Sequence, residues 1–174
     1  MDKELWKQCI SFHGHECPGL AIGFKAVEGA VAELNLVFSR DEEVVCFTEN
    51  DACGVDAVQY ITGCTMGKGN LILKPTGKMA FTFYDRKNDR SVRLFLKEIK
   101  GKMSREEKKN FLLESDYKDL FQITYPKMEV PEKARGFETI ICDECGEGAP
   151  EHKIRLSKGQ KLCLDCYKEY TRGW

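Results

Sequence analysis

The sequence predicts an α+β fold, in which an antiparallel sheet packs with helices, followed by a small module built around four cysteines. Apolar residues recur at helical spacing over residues 18–35. β-Branched and aromatic residues concentrate in residues 44–48 and 71–96, as is typical of strands. Two CxxC motifs then follow near the end of the chain. We therefore expect three segments: a core domain (residues 1–125), a linker (126–138) and the cysteine module (139–174).

Composition limits the classes of protein to which the chain can belong. Its 174 residues, 42% hydrophobic and 32% charged, suffice for one core and a small appendage. A net charge of −1 argues against a nucleic-acid partner and against attraction to an acidic membrane. No apolar run approaches the roughly 18 residues that span a bilayer, and the first residues contain no apolar signal region. We expect a cytoplasmic protein without a membrane anchor.

Two helices are predicted before the first strand. Residues 2–12 form a short amphipathic helix that Asp2 can cap. Residues 18–35 form a long central helix that ends at Asn35 or just after it, and Gly23 lies on a stripe of small residues that permits close packing.

The middle of the chain predicts a strand, a helix and a hairpin in succession. The strand covers residues 44–48, and the helix covers residues 52–62 with Asp51 as its N-cap. Residues 71–75 and 79–84 flank a Thr-Gly-Lys turn and suggest an antiparallel hairpin, with a third strand at residues 91–96.

The last part of the predicted core is a helix opened by a capping box. Ser104 and Glu107 have the spacing of that motif, and the helix should extend through Leu113. A short helix and a last strand are expected between residues 117 and 125.

A histidine- and cysteine-rich loop lies between the first two helices. It contains His13, His15 and Cys17, which are residue types that bind transition metals at neutral pH. Alternate residues of an extended segment project to one side, so these three side chains could face a single point. Pro18 suits the first turn of a helix, whose N-terminus would favour the Cys17 thiolate. The alternative is that these residues are purely structural.

Two further segments carry candidate site residues. Cys53 falls in the first turn of the predicted helix 52–62, where the helix dipole lowers a thiol pKa, and Asp56 lies three residues on. Cys64 and Lys68 lie in a glycine-rich turn that could bind an anion through backbone amides, although its spacing is not that of a P-loop. The alternatives are a buried cysteine beside a solvated aspartate, and a plain glycine-rich connection.

The cysteines are better explained by metal binding than by disulfides. Their number, nine, is odd, and no signal region precedes them. Cys142 and Cys145 form one CxxC pair, Cys163 and Cys166 form the other, and seventeen residues separate the pairs. This spacing predicts a structural four-cysteine zinc site that contributes on the order of 10 kcal/mol to folding. Residues 167–170 should continue as a helix, which would give a treble-clef-like finger.

Three ordered motifs resemble the FmdE family, which takes its name from a component of formylmethanofuran dehydrogenase. They are His13-Gly14-His15-Glu16-Cys17-Pro18-Gly19, residues 51–59 (DACGVDAVQ) and residues 63–69 (GCTMGKG). The resemblance covers about residues 5–130, and the tail separately resembles the DksA/TraR-type four-cysteine finger. The resemblance to the FmdE family implies an α+β core, a homodimer and a metal in a cavity. His15 and Cys17 would approach that cavity, with His13, Cys53 and Cys64 close by.

The family name points to a molybdenum or tungsten enzyme that reduces carbon dioxide onto methanofuran. That chemistry belongs to the other components of the enzyme, and this chain has no pterin-binding domain and no ferredoxin-like cysteine series.

The leading functional hypothesis is a metal-binding protein with two sites. The finger holds structural zinc, and the core holds a second transition metal, most simply zinc, among the five early His and Cys candidates. Candidate catalytic groups are Cys17, Cys53, Asp56 and Lys68, since a metal or a reactive thiolate could do chemistry there. The protein would be an enzyme, or an accessory subunit of one-carbon metabolism with molybdenum or tungsten enzyme subunits as partners. The alternative is a non-catalytic metal carrier, insertion factor or sensor, while a nucleic-acid regulator is disfavoured by charge.

Overall fold

The computed structural model describes residues 2–127 and 129–173. Met1, Met128 and Trp174, which the predicted core, linker and module include, lie outside the described residues. The chain divides into two compact units, Met1–Lys133 and Ala134–Trp174. Over the residues described, every helix is too short or too polar to cross a bilayer.

The described part of the first unit folds into five helices and five strands. In chain order they are α1 (Lys3–His13), α2 (Pro18–Leu34), β1 (Val44–Thr48), α3 (Gly54–Thr62), β2 (Leu71–Leu73), β3 (Ala80–Asp85), β4 (Arg90–Leu96), α4 (Arg105–Glu114), α5 (Tyr117–Leu120) and β5 (Phe121–Thr124).

One mixed sheet, in the order β2-β1-β3-β4-β5, lies at the centre of this unit. All five residues of β1 are buried, and the strand has a neighbour on both edges. The β1–β3, β3–β4 and β4–β5 pairs are antiparallel, whereas β1 and β2 are parallel, with Cys46 opposite Leu71. The helices pack with this sheet, which confirms the predicted α+β class.

The predicted hairpin between residues 71–75 and 79–84 is wrong. Strand β2 pairs with β1, and β1 separates it from β3. The connecting residues instead wrap the end of β1, where the Lys74 amide donates to Thr48 O and the Gly77 amide donates to Glu49 O. A turn signature reports only where the chain reverses, and it does not reveal whether a third strand enters between the two arms.

Helix α2 is the central core helix, as its periodicity predicted. Leu20, Phe24, Val27 and Leu34 are all buried on it. The helix ends at Asn35, whose φ of 56° is the left-handed conformation that asparagine tolerates at a C-cap.

A glycine contact brings the start of α3 against α2. A Cβ placed on Gly23 would lie 2.0 Å from the carbonyl oxygen of Gly54, a distance no real side chain occupies. The absence of a side chain at Gly23 therefore fixes how closely the two helices approach.

The helix caps agree with two predictions and contradict a third. Asp2 accepts hydrogen bonds from the amides of Glu4 and Leu5, and Ser104 with Glu107 forms the reciprocal capping box. Asp51 is not the N-cap of α3, because the helix begins at Gly54 and its cap, Cys53, makes no side-chain capping bond. The amide of Ala52 instead bonds the side chain of Asn50, so a turn precedes the helix where its first residues were expected.

The second unit consists of two small hairpins in its described residues. Strands β6 (Thr139–Ile141) and β7 (Gly148–Pro150) form the first, and β8 (Ile154–Ser157) and β9 (Gln160–Cys163) form the second. A 3₁₀ turn, Glu151–Lys153, joins them. The helix predicted over residues 167–170 does not form. Tyr170 is 78% exposed, and so short a helix is not stable without a packed face.

Candidate metal centres

Three soft donors from separate segments converge in the first unit. One nitrogen of His13 and the sulfurs of Cys17 and Cys53 all lie within 4.8 Å of one another. Zinc bonds of about 2.0–2.3 Å to nitrogen and sulfur would place neighbouring ligand atoms about 3.5–3.8 Å apart. The observed distance of 3.8 Å between His13 Nε2 and Cys17 Sγ fits that spacing.

Each donor lies at the end of a helix. His13 is the last residue of α1, Cys17 is the N-cap of α2, and Cys53 is the N-cap of α3. The Cys17 sulfur accepts a hydrogen bond of 3.2 Å from the Leu20 amide, which fixes its rotamer toward the cluster. The cluster therefore depends on the relative packing of the three helices.

Glycine at position 19 keeps the space between the two sulfurs clear. A Cβ there would lie 3.1 Å from the Cys53 Cβ and 3.7 Å from the Cys17 sulfur. An added Cβ would therefore crowd Cys53, whereas its contact with the Cys17 sulfur would be an ordinary one.

Asp56 orients the imidazole of His13. Its Oδ2 lies 2.6 Å from Nδ1, so Nδ1–H donates to the carboxylate and Nε2 is left as the acceptor facing Cys17. Gln59 Nε2 donates to the other carboxylate oxygen at 3.3 Å. A carboxylate behind a ligating histidine is the usual way in which proteins fix its tautomer and raise its basicity.

We expect Asp56→Asn to weaken core zinc binding 10- to 100-fold, because the amide no longer holds His13 in its ligating orientation. Competition with a chromophoric zinc chelator measures that affinity. Asp119→Asn, an exposed aspartate on α5, is the matched control and should leave it unchanged. Equal affinities for both variants would contradict an orienting role for Asp56.

His15 lies outside the cluster. Its ring stacks on that of His13 with the centroids 4.5 Å apart, and the residue is exposed. We expected residues 13, 15 and 17 to alternate along an extended segment. Instead α1 runs to His13 and Gly14 turns the chain with a φ of 93°, so His13, rather than His15, faces Cys17.

Cys64 and Lys68 are also placed away from the cluster. The Cys64 thiol is buried and donates to the carbonyl of Val44 at 3.4 Å, and burial raises its pKa to about 11. Lys68 Nζ donates to the carbonyl of Ser39 at 2.7 Å. Both side chains hold the glycine-rich turn onto the end of the sheet.

The expected lowering of the Cys53 pKa is wrong. Burial, followed by the hydrogen bond to the Cys17 thiol, raises the pKa of Cys53. Desolvation and the second sulfur outweigh the backbone hydrogen bond that lowers the same pKa.

A cavity of about 350 Å³ opens beside the cluster. It lies at the carboxyl ends of the parallel strands β1 and β2, the position at which open sheets commonly bind ligands. Its lining includes groups that sequence reasoning did not single out, because the parallel pairing was not predicted; they are Thr48, Asn50, Met66, Leu71 and Leu73.

The second unit contains the predicted four-cysteine group, Cys142, Cys145, Cys163 and Cys166, with all sulfurs within 4.8 Å. The sulfurs of Cys145 and Cys163 are 3.9 Å apart, close to the roughly 3.8 Å that a tetrahedral zinc–thiolate site requires. Backbone amides of Cys145, Cys163 and Glu144 lower the pKa of Cys142 to about 6. Hydrogen bonding to Cys163 raises the pKa of Cys166. This donor set fits zinc.

Two family models match the chain. The model described as "FmdE, Molybdenum formylmethanofuran dehydrogenase operon" matches residues 12–130. The model described as "Prokaryotic dksA/traR C4-type zinc finger" matches residues 135–172. Between them they contain all seven residues of the two clusters.

Two similar proteins extend this comparison. A "Probable S-adenosyl-L-methionine-binding protein" of Archaeoglobus fulgidus is 30% identical over 191 aligned positions, which cover 91% of this chain and 51% of the relative. The chain thus spans about half the length of this curated relative. The crystal structure of a "tungsten formylmethanofuran dehydrogenase subunit e (fmde)-like protein" from Syntrophus aciditrophicus aligns with a TM-score of 0.68 and 29% identity. That alignment covers 94% of this chain and 90% of the other.

Proposed function

Because this chain belongs to the FmdE family, we propose that it is a protein with two metal sites, one structural and one functional. Zinc on the four finger cysteines is the structural site. A transition metal, most simply zinc, on His13, Cys17 and Cys53 is the functional one. The observation that supports the second site is the convergence of one imidazole and two sulfurs, with a carboxylate behind the imidazole, beside an open cavity.

Three protein ligands are the number found in catalytic rather than structural zinc sites. When bound, such a metal supplies Lewis acidity or a water of lowered pKa. The chain's own groups have separate tasks. Asp56 orients His13, the Leu20 amide orients Cys17, and the cavity lining positions a ligand against the open side of the cluster.

The wider role in this proposal is that of an enzyme or accessory subunit in one-carbon or molybdenum/tungsten metabolism. Its support is the operon named by the family model and the tungsten enzyme named for the Syntrophus aciditrophicus structure. A cytoplasmic location, a homodimer and association with molybdenum or tungsten enzyme subunits belong to the same proposal.

Metal content tests the core site directly. The wild-type chain should contain about two metal ions, and Cys17→Ser about one, because the finger keeps its own. Cys9→Ser is the matched control: Cys9 is equally buried, on α1, and lies outside both clusters, so two ions should remain. Elemental analysis with native mass spectrometry gives the count. Two ions in Cys17→Ser, or one in the wild type, would overturn the core site.

The alternative, a metal carrier, insertion factor or sensor, is favoured by the same open geometry. A site with three protein ligands beside a cavity can exchange its metal more readily than a closed four-cysteine site. Radiolabelled or isotopically enriched zinc separates the two roles. A carrier loses its core zinc to a competing chelator within minutes while the finger keeps its own, whereas an enzyme retains both.

The name of the Archaeoglobus fulgidus relative suggests one ligand for the cavity, S-adenosylmethionine. The observation that favours it is a cavity of about 350 Å³ with an apolar wall and a carboxylate at its rim. Calorimetric titration should then give tighter binding of S-adenosylmethionine than of S-adenosylhomocysteine, which lacks the sulfonium charge. No binding of either compound would exclude this candidate.

A further inference from the structure

Asp51 is an acidic residue that the fold leaves unengaged at the cavity. It does not cap α3, which begins three residues later. Its side chain is exposed and lines the cavity beside the cluster. Within the described part of the chain, its carboxylate makes no hydrogen bond or ion pair. Its negative charge therefore faces whatever enters the cavity.

Neighbouring groups do not neutralise this charge. Of the described residues that line the cavity, none is lysine or arginine. The charge of Asp56 is already shared between His13 and Gln59. The nearby Lys74 is engaged elsewhere, since its Nζ lies 4.4 Å from the centre of the Phe47 ring.

The start of α3, which would ordinarily attract an anion, has two of its first three amides occupied. The Val55 amide donates to the carbonyl of Ala52 at 2.9 Å, and the Asp56 amide donates to that of Cys53 at 3.2 Å. Two of the backbone donors that could hold an anion at this helix start are therefore occupied, and the carboxylate of Asp51 faces the cavity beside them.

Part of the cavity wall is apolar. Val55, Leu71 and Leu73 line it together with Met66, and two of these side chains are unusually exposed, Leu73 at 44% and Met66 at 72%. A ligand with an apolar body would cover them.

From these contacts we propose that the cavity binds an organic cation, an amine or onium group on an apolar body, and disfavours molecules of net negative charge, with Asp51 as the residue that sets this selectivity. The inference rests on the proposed function, because the core metal would hold the reacting group at the same cavity. It adds the charge class of the ligand, a cation rather than an anion.

Benzylamine and benzoate are suitable probes, because they match in size and carry opposite charges at pH 7. Binding to the full chain is followed by protein NMR shifts in low salt, with and without zinc in the core site. Benzylamine should bind at least tenfold more tightly than benzoate, the scale of one unscreened charge near a protein surface. Asp51→Asn should remove most of that preference, and Asp51→Lys should reverse it.

Glu106→Gln, an exposed acidic residue on α4 that lies outside the cavity lining, is the charge-matched control and should leave the preference unchanged. Benzoate binding as tightly as benzylamine, an unchanged ratio in Asp51→Asn, or no benzylamine binding at about 10 mM would each overturn the inference. The two proposals fail separately. A chain without core metal that still prefers benzylamine loses only the metal site, and a chain with core metal and no preference loses only the selectivity.

Discussion

Chelation of the finger zinc, or Cys142→Ser, is expected to unfold the second unit while the first unit stays folded. Among the described residues of the second unit, the buried hydrophobic side chains are Cys142 and Leu162, so this unit has almost no apolar core. A structural zinc site contributes on the order of 10 kcal/mol, far more than two small hairpins supply by themselves. The first unit keeps its sheet and the buried helix α2.

The chemical-shift dispersion of the NMR signals of residues 134–173, together with limited proteolysis, measures this effect. The resonances should lose their chemical-shift dispersion in excess chelator and regain it on addition of zinc. Glu144→Gln is the control, because it changes an exposed side chain in the same CxxC turn and leaves all four sulfurs in place. A second unit that stays dispersed and protease-resistant in chelator would show that its fold does not depend on metal.

Gly23→Ala is expected to destabilise the first unit by about 3 kcal/mol and to remove the core metal. The added Cβ would meet the backbone of Gly54, which has no flexible side chain to move aside. Helix α3 must then shift away from α2, and this shift separates Cys53 from Cys17. Urea denaturation and metal analysis of the same sample report the two effects.

The direction of this effect distinguishes a steric clash from helix propensity. Glycine to alanine within a helix ordinarily stabilises by about 0.5–1 kcal/mol. Gly67→Ala is the control, since a Cβ there meets no atom within 4 Å and its φ is not positive, so stability should not fall below that of the wild type and metal content should stay unchanged. A Gly23→Ala protein as stable as the wild type with two metals would refute the close-packing account.

Local patterns in the sequence were enough for most of the elements and for the finger. Asp2 and the Ser104 capping box mark helix starts because a cap involves only the next few residues. The four finger cysteines were recognisable because each CxxC turn presents two ligands within four residues. In both cases the interaction that defines the feature is short in sequence.

The candidate site was only partly predictable. His13, Cys17 and Cys53 were named as ligands, but so were His15 and Cys64, which the structure places outside the cluster. The expected alternation assumed an extended loop, whereas α1 continues to His13 and the chain turns at Gly14. Lys68, named as a catalytic group, anchors a turn, and Asp56 orients a histidine forty-three residues earlier.

The sequence by itself determined the α+β class, the four-cysteine finger and the presence of candidate His and Cys ligands in the first part of the chain. Tertiary structure alone decided that β2 pairs with β1 in parallel and that the backbone of Gly54 packs directly against Gly23. It also decided that His13, Cys17 and Cys53 meet, beside a cavity that Asp51 lines. The physical reason is the distance along the chain between the residues that interact. Capping, periodicity and CxxC turns are settled between near neighbours, whereas the site forms where three helix ends meet, and their meeting is set by packing between segments far apart in the chain.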